Sequence, residues 1–103
     1  MSDNYLIGKY VLVRGDRSGI FVGTLDKQEG SDGRKVTLKN VRRLWYWDGA
    51  ASISQIAKYG VNQPQNCKFP VENEIVQILD TIEIIECSDE SRISIAKVPV
   101  WSK

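Results

Sequence analysis

Hydrophobic and polar residues alternate through most of the first half of the chain, and a period of two points to strands. Tyr10-Val11-Leu12-Val13-Arg14 is rich in β-branched and aromatic side chains, and a tight connection at Gly15-Asp16-Arg17-Ser18-Gly19 follows it. Ile20 to Leu25 resumes as a second strand, with Gly23 marking a bulge or a close backbone approach. Asp26 to Gly33 is charged, carries two Gly and reads as an exposed hairpin tip. Lys35 to Leu38 alternates again and Asn40 ends it. Val41 to Trp47 then makes a fourth run of a meander. Val41, Arg43, Trp45 and Trp47 point one way, and Arg42, Leu44 and Tyr46 the other.

The period then changes. Ser52-Ile53-Ser54-Gln55 is a capping box, Ile53, Ile56 and Ala57 supply an apolar face, and Gly60 stops a helix of about two turns. Val61 to Pro70 reads as loop, held down by Cys67 and Phe69. Glu74 to Leu79 fits a strand better than a helical turn, and Thr81 to Cys87 alternates as a strand. Ser88-Asp89-Glu90 suits a helix start, yet Ile93 and Ile95 also permit a strand over Arg92 to Ala96. Pro99 confines Val98, Val100 and Trp101 to an edge strand or a terminal clasp. The expected fold is α+β: a small, mainly antiparallel sheet with one or two short helices, in one domain over 1–103 with residues 1–8 a flexible polar lead.

Composition narrows the class. A chain of 103 residues, 42% hydrophobic and 9% aromatic, has the make-up of a globular domain. Its net charge of +1 is unevenly placed. Residues 1–62 hold ten Lys and Arg against six Asp and Glu, whereas residues 63–103 hold four against seven. That polarity suits an anionic ligand or head-to-tail association and falls short of the basic excess of a binder of long nucleic acid. Two Cys without any His make neither a disulfide framework nor a zinc site, and read as reduced core thiols. No signal segment or membrane-length apolar run is present, so a soluble cytoplasmic protein is expected.

Catalysis finds little support. There is no His to act as a base near neutral pH, and Asp16, Asp48 and Asp80 sit at turns where capping explains them. Neither an enzyme, a cofactor nor a metal is expected. The dense stretch is Lys39 to Ala51, with two Trp and three basic side chains. On a wet face, Arg43 beside indoles can hold a base and a phosphate; on a dry one, the same residues are core with an arginine stem lying over them. Asp48-Gly49-Ala50-Ala51 leads small residues up to the capped helix, which suits a ligand floor and tight strand-to-helix packing equally. Asn62, Gln63 and Asn66 adjoin it with amide groups able to meet a base edge.

The string Leu44-Trp45-Tyr46-Trp47-Asp48-Gly49-Ala50-Ala51-Ser52, with Cys67-Lys68-Phe69-Pro70 and Val98-Pro99-Val100-Trp101, carries a resemblance. It resembles a family of small, mostly phage-encoded anti-defence proteins, the first sponge type described against the Thoeris system, over Tyr10 to Trp101. The resemblance implies sequestration, without cleavage, of a cyclic ADP-ribose signal or of the cyclic oligonucleotides of CBASS immunity. It also implies a homo-oligomer with pockets near subunit contacts, acting in the cytoplasm of the infected cell. The pocket would be built from Val13–Phe21 and Arg42–Ala51. The residues expected to bind are Arg14, Arg17 and Arg43 on phosphates, Phe21 or Trp47 on a base, and Asp48 and Ala50 at the turn. The loop Gly15-Asp16-Arg17-Ser18 departs from the family, leaving ligand choice open. A different class of reading is a phage structural or protein-interaction module whose Trp cluster is an oligomer interface.

Overall fold

Five strands and two helices follow one another in a computed structural model that describes residues 4–102. Strands β1 (Tyr10–Gly15), β2 (Ile20–Glu29) and β3 (Lys35–Arg43) form the first half. Helix α1 (Ile53–Tyr59) and a single 3-10 turn (Pro64–Asn66) lead to β4 (Asn73–Ile78), β5 (Thr81–Glu86) and helix α2 (Asp89–Ala96). All pairings between these strands are antiparallel, in the order β4-β3-β2-β1-β5. The α+β architecture expected from the sequence is the one found.

Strands β4 and β5 lie at opposite edges of this sheet, yet only Leu79 and Asp80 separate them in sequence. A flat sheet cannot satisfy both facts, so the sheet curls until its edges meet at one end. Hydrogen bonds from Asp16 N to Asp80 O (2.9 Å) and from Thr81 N to Arg34 O (3.2 Å) tie that end. Alternation then sorts the side chains into two cores. Inside the curl lie Val11, Val13, Phe21, Leu25, Val36, Leu38, Val41 and Ile78. Outside it, Leu12, Val22 and Leu44 meet the helical layer through Ile56, Ala57, Phe69, Cys87, Ile95 and Val98.

Two differences from the sequence reading have physical causes. The third and fourth runs are one strand, because Asn40 is a bulge and not an end. From Val22↔Arg42 to Thr24↔Lys39 the register takes one residue more on β3 than on β2, and Asn40 absorbs it at φ 53. Gly23 faces the bulge: a Cβ there would stand 2.9 Å from Lys39 O. Strand β2 also runs on to Glu29, since the charged residues after Leu25 are largely exposed and lose nothing by staying paired.

Ser52 caps α1 by accepting from Gln55 N (3.2 Å), and Gln55 returns the bond by accepting from Ala51 N (3.0 Å). Gly60 ends it at φ 84, where a Cβ would stand 2.3 Å from the Ser94 side chain, so α2 can approach closely. Ser88 caps α2 by accepting from Ser91 N (3.0 Å), which settles 92–96 as helix. Residues 1–3 of the expected polar lead lie outside the described residues. The remainder is a turn whose Gly8 N donates to Leu25 O (2.8 Å) and whose Leu6 packs on the inner core.

Candidate functional site

Strand β3 ends in two arginines with opposite fates. Arg42 points into the helical layer, where Nη1 donates to Ile95 O (3.1 Å) and Val98 O (2.8 Å). Its Nη2 donates to Phe69 O (3.0 Å) and Pro99 O (3.3 Å). Burial pulls its pKa below the usual guanidinium range, and the charges of Tyr10 and Glu72 oppose the shift. Arg43, one residue on, points the other way and stays exposed. Its guanidinium lies 4.4 Å from the Phe21 ring centroid, and Nη1 donates to Ser18 O (2.6 Å).

Arg43 borders a hollow of about 440 Å³ at the end of the curl where the Gly15–Gly19 loop meets the Leu79–Asp80 turn. Arg17, Ser18 and Asp80 line one side, and Val76, Ile78 and Leu79 supply an apolar wall. Asp80 organises the loop: Oδ2 accepts from Arg17 N (2.7 Å) and Ser18 N (3.0 Å), and Oδ1 from Ser18 Oγ (2.5 Å). The Ser18 hydroxyl and then the Arg17 amide hold its carboxyl below the usual carboxylate range. Gly15 leaves room for this arrangement, because a Cβ would stand 1.9 Å from Ser18 Oγ and 2.8 Å from Asp80 Oδ1 and displace their hydrogen bond. With Asp80 committed to backbone and hydroxyl donors, the cationic groups of the hollow are Arg17 and Arg43. Neither has an ion-pair partner among the described residues.

A family model described as a domain of unknown function (DUF6948) matches residues 8–95, which contain the whole hollow. The chain belongs to that family. No curated protein and no solved structure matches it. The DUF6948 match runs from before β1 almost to the end of α2 and stops short of Trp101.

Of the residues expected to bind, the structure brings Arg17, Phe21 and Arg43 together, but not as foreseen. Phe21 is only 3% exposed and lies under the Arg43 guanidinium, so its ring offers no stacking surface. Arg14 projects from the other face of β1 and pairs across to Glu83 on β5 (3.8 Å). Trp47 and Ala50 pack against the helical-layer core, away from Arg43. Asp48 accepts from Asn66 Nδ2 (3.1 Å), and its own N–H donates to Cys67 Sγ (3.4 Å). Gly49 sits at φ 88 with Asn62 Oδ1 2.2 Å from where a Cβ would be, so the Asp48–Ala51 turn is tight packing. The alternation that was to align Arg43, Trp45 and Trp47 stops with β3. Leu44 N still donates to Ile20 O (2.9 Å), but Tyr46 pairs with Lys68 instead of β2.

In sequence Lys68 stands out only as part of the Cys67–Pro70 string, and Trp101 reads as an edge strand or a terminal clasp. Tyr46 bridges to Lys68 and Phe69 bridges to Val100, so three segments distant in sequence lie side by side. The exposed Trp45 and Tyr46 rings and the half-buried Trp101 ring form an aromatic cluster around the Lys68 ammonium. Nothing local to Trp101 signals a partner 56 residues earlier in the sequence. Burial raises both thiols, Cys87 to about 11, which disfavours the thiolate form. Among the described residues no group of three or more His, Cys, Asp or Glu can hold a metal, and no helix is long and apolar enough to cross a membrane.

Proposed function

We propose that this protein binds and sequesters a cyclic nucleotide-derived immune signal, a cyclic ADP-ribose isomer or a cyclic oligonucleotide, and thereby blocks an antiphage defence. It does so without catalysis, in the cytoplasm of the infected cell, as a homo-oligomer. The observation that carries the reading is the convergence of Arg17 and Arg43 on one hollow with an apolar wall. Its volume of about 440 Å³ falls in the range of small-molecule sites. Two guanidiniums suit the phosphates of a dinucleotide through paired, directional hydrogen bonds. The Arg43 guanidinium lies over Phe21, 4.4 Å from the ring centroid, and an arginine plane on the surface is able to stack on a base. Arg14, Trp47, Asp48 and Ala50 drop out of the contact set.

Native mass spectrometry with a panel of cyclic ADP-ribose isomers and cyclic oligonucleotides tests this reading. The expected spectrum shows an oligomer carrying intact ligand, which heating releases unchanged. Release of a hydrolysed product would remove the non-catalytic part, and no bound mass with any member would remove the reading. The structural or protein-interaction module remains the second reading, favoured by the 59% exposure of Trp45. Sedimentation would support it if Trp45→Ala reduced oligomer size in a protein that takes up no nucleotide.

A further inference from the structure

The aromatic cluster is separate from the hollow and belongs to a different face. The Trp45 and Trp101 rings stack with centroids 5.2 Å apart and planes 3° from parallel. The Lys68 ammonium lies 5.4 Å from the Trp45 centroid, 5.7 Å from Trp101 and 5.8 Å from Tyr46. Trp45 remains 59% and Tyr46 50% exposed, although large aromatic side chains are ordinarily mostly covered. Packing does not require this arrangement: the core beneath it is closed by Phe69 and Val98, both buried. Among the described residues no carboxylate lies within ion-pair distance of Lys68. A largely exposed aromatic surface therefore carries a cation that no carboxylate among the described residues neutralises.

We infer that this cluster is a binding surface for a nucleobase carrying a phosphate, with the base on Trp45 and the phosphate on Lys68. Stacking accepts any base because each presents a π-face, and the ammonium supplies a point charge with freely turning donors. The Trp101 ring fixes the plane of Trp45, so little side-chain freedom is lost on binding. A second copy of the chain is a poorer occupant. A two-fold contact centred on Lys68 would set two ammonium groups against each other, a like-charge encounter without compensation. The inference does not depend on the hollow, and each can fail alone.

Tryptophan fluorescence titration of the full chain tests it with three probes: adenosine 5′-monophosphate, adenosine and a single-stranded oligodeoxyadenylate 12-mer. The monophosphate is expected to quench and to saturate, with adenosine about tenfold weaker for want of the charge-assisted contact. A 12-mer that binds like the monophosphate supports a free nucleotide as the source, and one that binds far more tightly supports a strand. Lys68→Gln should weaken the monophosphate about tenfold, while Lys27→Gln, the same charge lost from exposed β2, leaves it unchanged. Trp45→Ala should abolish saturable quenching with the fold retained by circular dichroism. The inference is overturned if no probe quenches or if Lys68→Gln and Lys27→Gln behave alike. Concentration-dependent burial of Trp45 in the absence of any probe would assign the patch to self-association and overturn it as well.

Discussion

Arg42 and Arg43 are adjacent and chemically identical, and the regions around them differ in almost every physical respect. Around Arg42, four main-chain carbonyls from α2, the Phe69 segment and the C-terminal segment converge on the guanidinium of a residue that is 8% exposed. Around Arg43 there is one carbonyl, one aromatic face and solvent. The Arg42 side is assembled from distant pieces of chain that need a multivalent donor to satisfy carbonyls beyond regular structure. Its charge also faces the C-terminal end of α2, where a cation is favourable. Its Nε finds no partner, so even this site is not fully satisfied. The Arg43 side is finished by Phe21 and the Asp80-held loop, and needs little from the arginine itself. A buried arginine is thus committed to the fold, and an exposed one is free to meet a ligand.

That contrast can be broken by substitution. The largest effect expected is from Arg42→Ala, which strands the Val98 and Pro99 carbonyls while Ile95 O and Phe69 O keep the Val98 and Trp101 amides, and should cost about 3 kcal/mol in urea unfolding. A loss below about 1 kcal/mol would mean that water already serves those carbonyls, and the contrast would collapse. Arg42→Lys should recover only part, leaving a deficit of about 2 kcal/mol, because one ammonium cannot reach carbonyls on both sides of the guanidinium fork. Arg43→Ala should change stability by less than about 1 kcal/mol, the scale of an exposed cation–π contact. It should still weaken any phosphate ligand of the hollow about tenfold, read by calorimetry.

The smallest effect concerns Asp80 and pH. Its carboxyl is held below its usual value of 3.8, so its contribution to stability is present above that value and lost as pH falls through the lower folded one. Carbon-detected NMR should show Asp80 titrating below the usual aspartate value of 3.8. An ordinary midpoint would mean that the Ser18 and Arg17 donors do not hold the loop.

Much of this was legible locally. The pattern from Tyr10 to Leu25, the split of Arg42 from Arg43, the Ser52 cap and the Gly60 stop all follow from spacing and from backbone groups that need partners nearby. The run through Asn40 was not, because an asparagine that ends a strand and one that bulges within it look alike until the partner strand is placed. The Arg17 and Arg43 pairing on one hollow was legible as residue types, but Phe21 was misjudged, since alternation tells which way a ring points and not what lies on it.

The sequence by itself determined which residues alternate, where the helices are capped and that the two arginines part company, because these depend on neighbours within a few positions. Only the tertiary structure decided that the sheet curls, which arginine is sealed in and that Trp45, Lys68 and Trp101 share a surface. Those outcomes depend on what packs against each face, and the packing comes from segments tens of residues away.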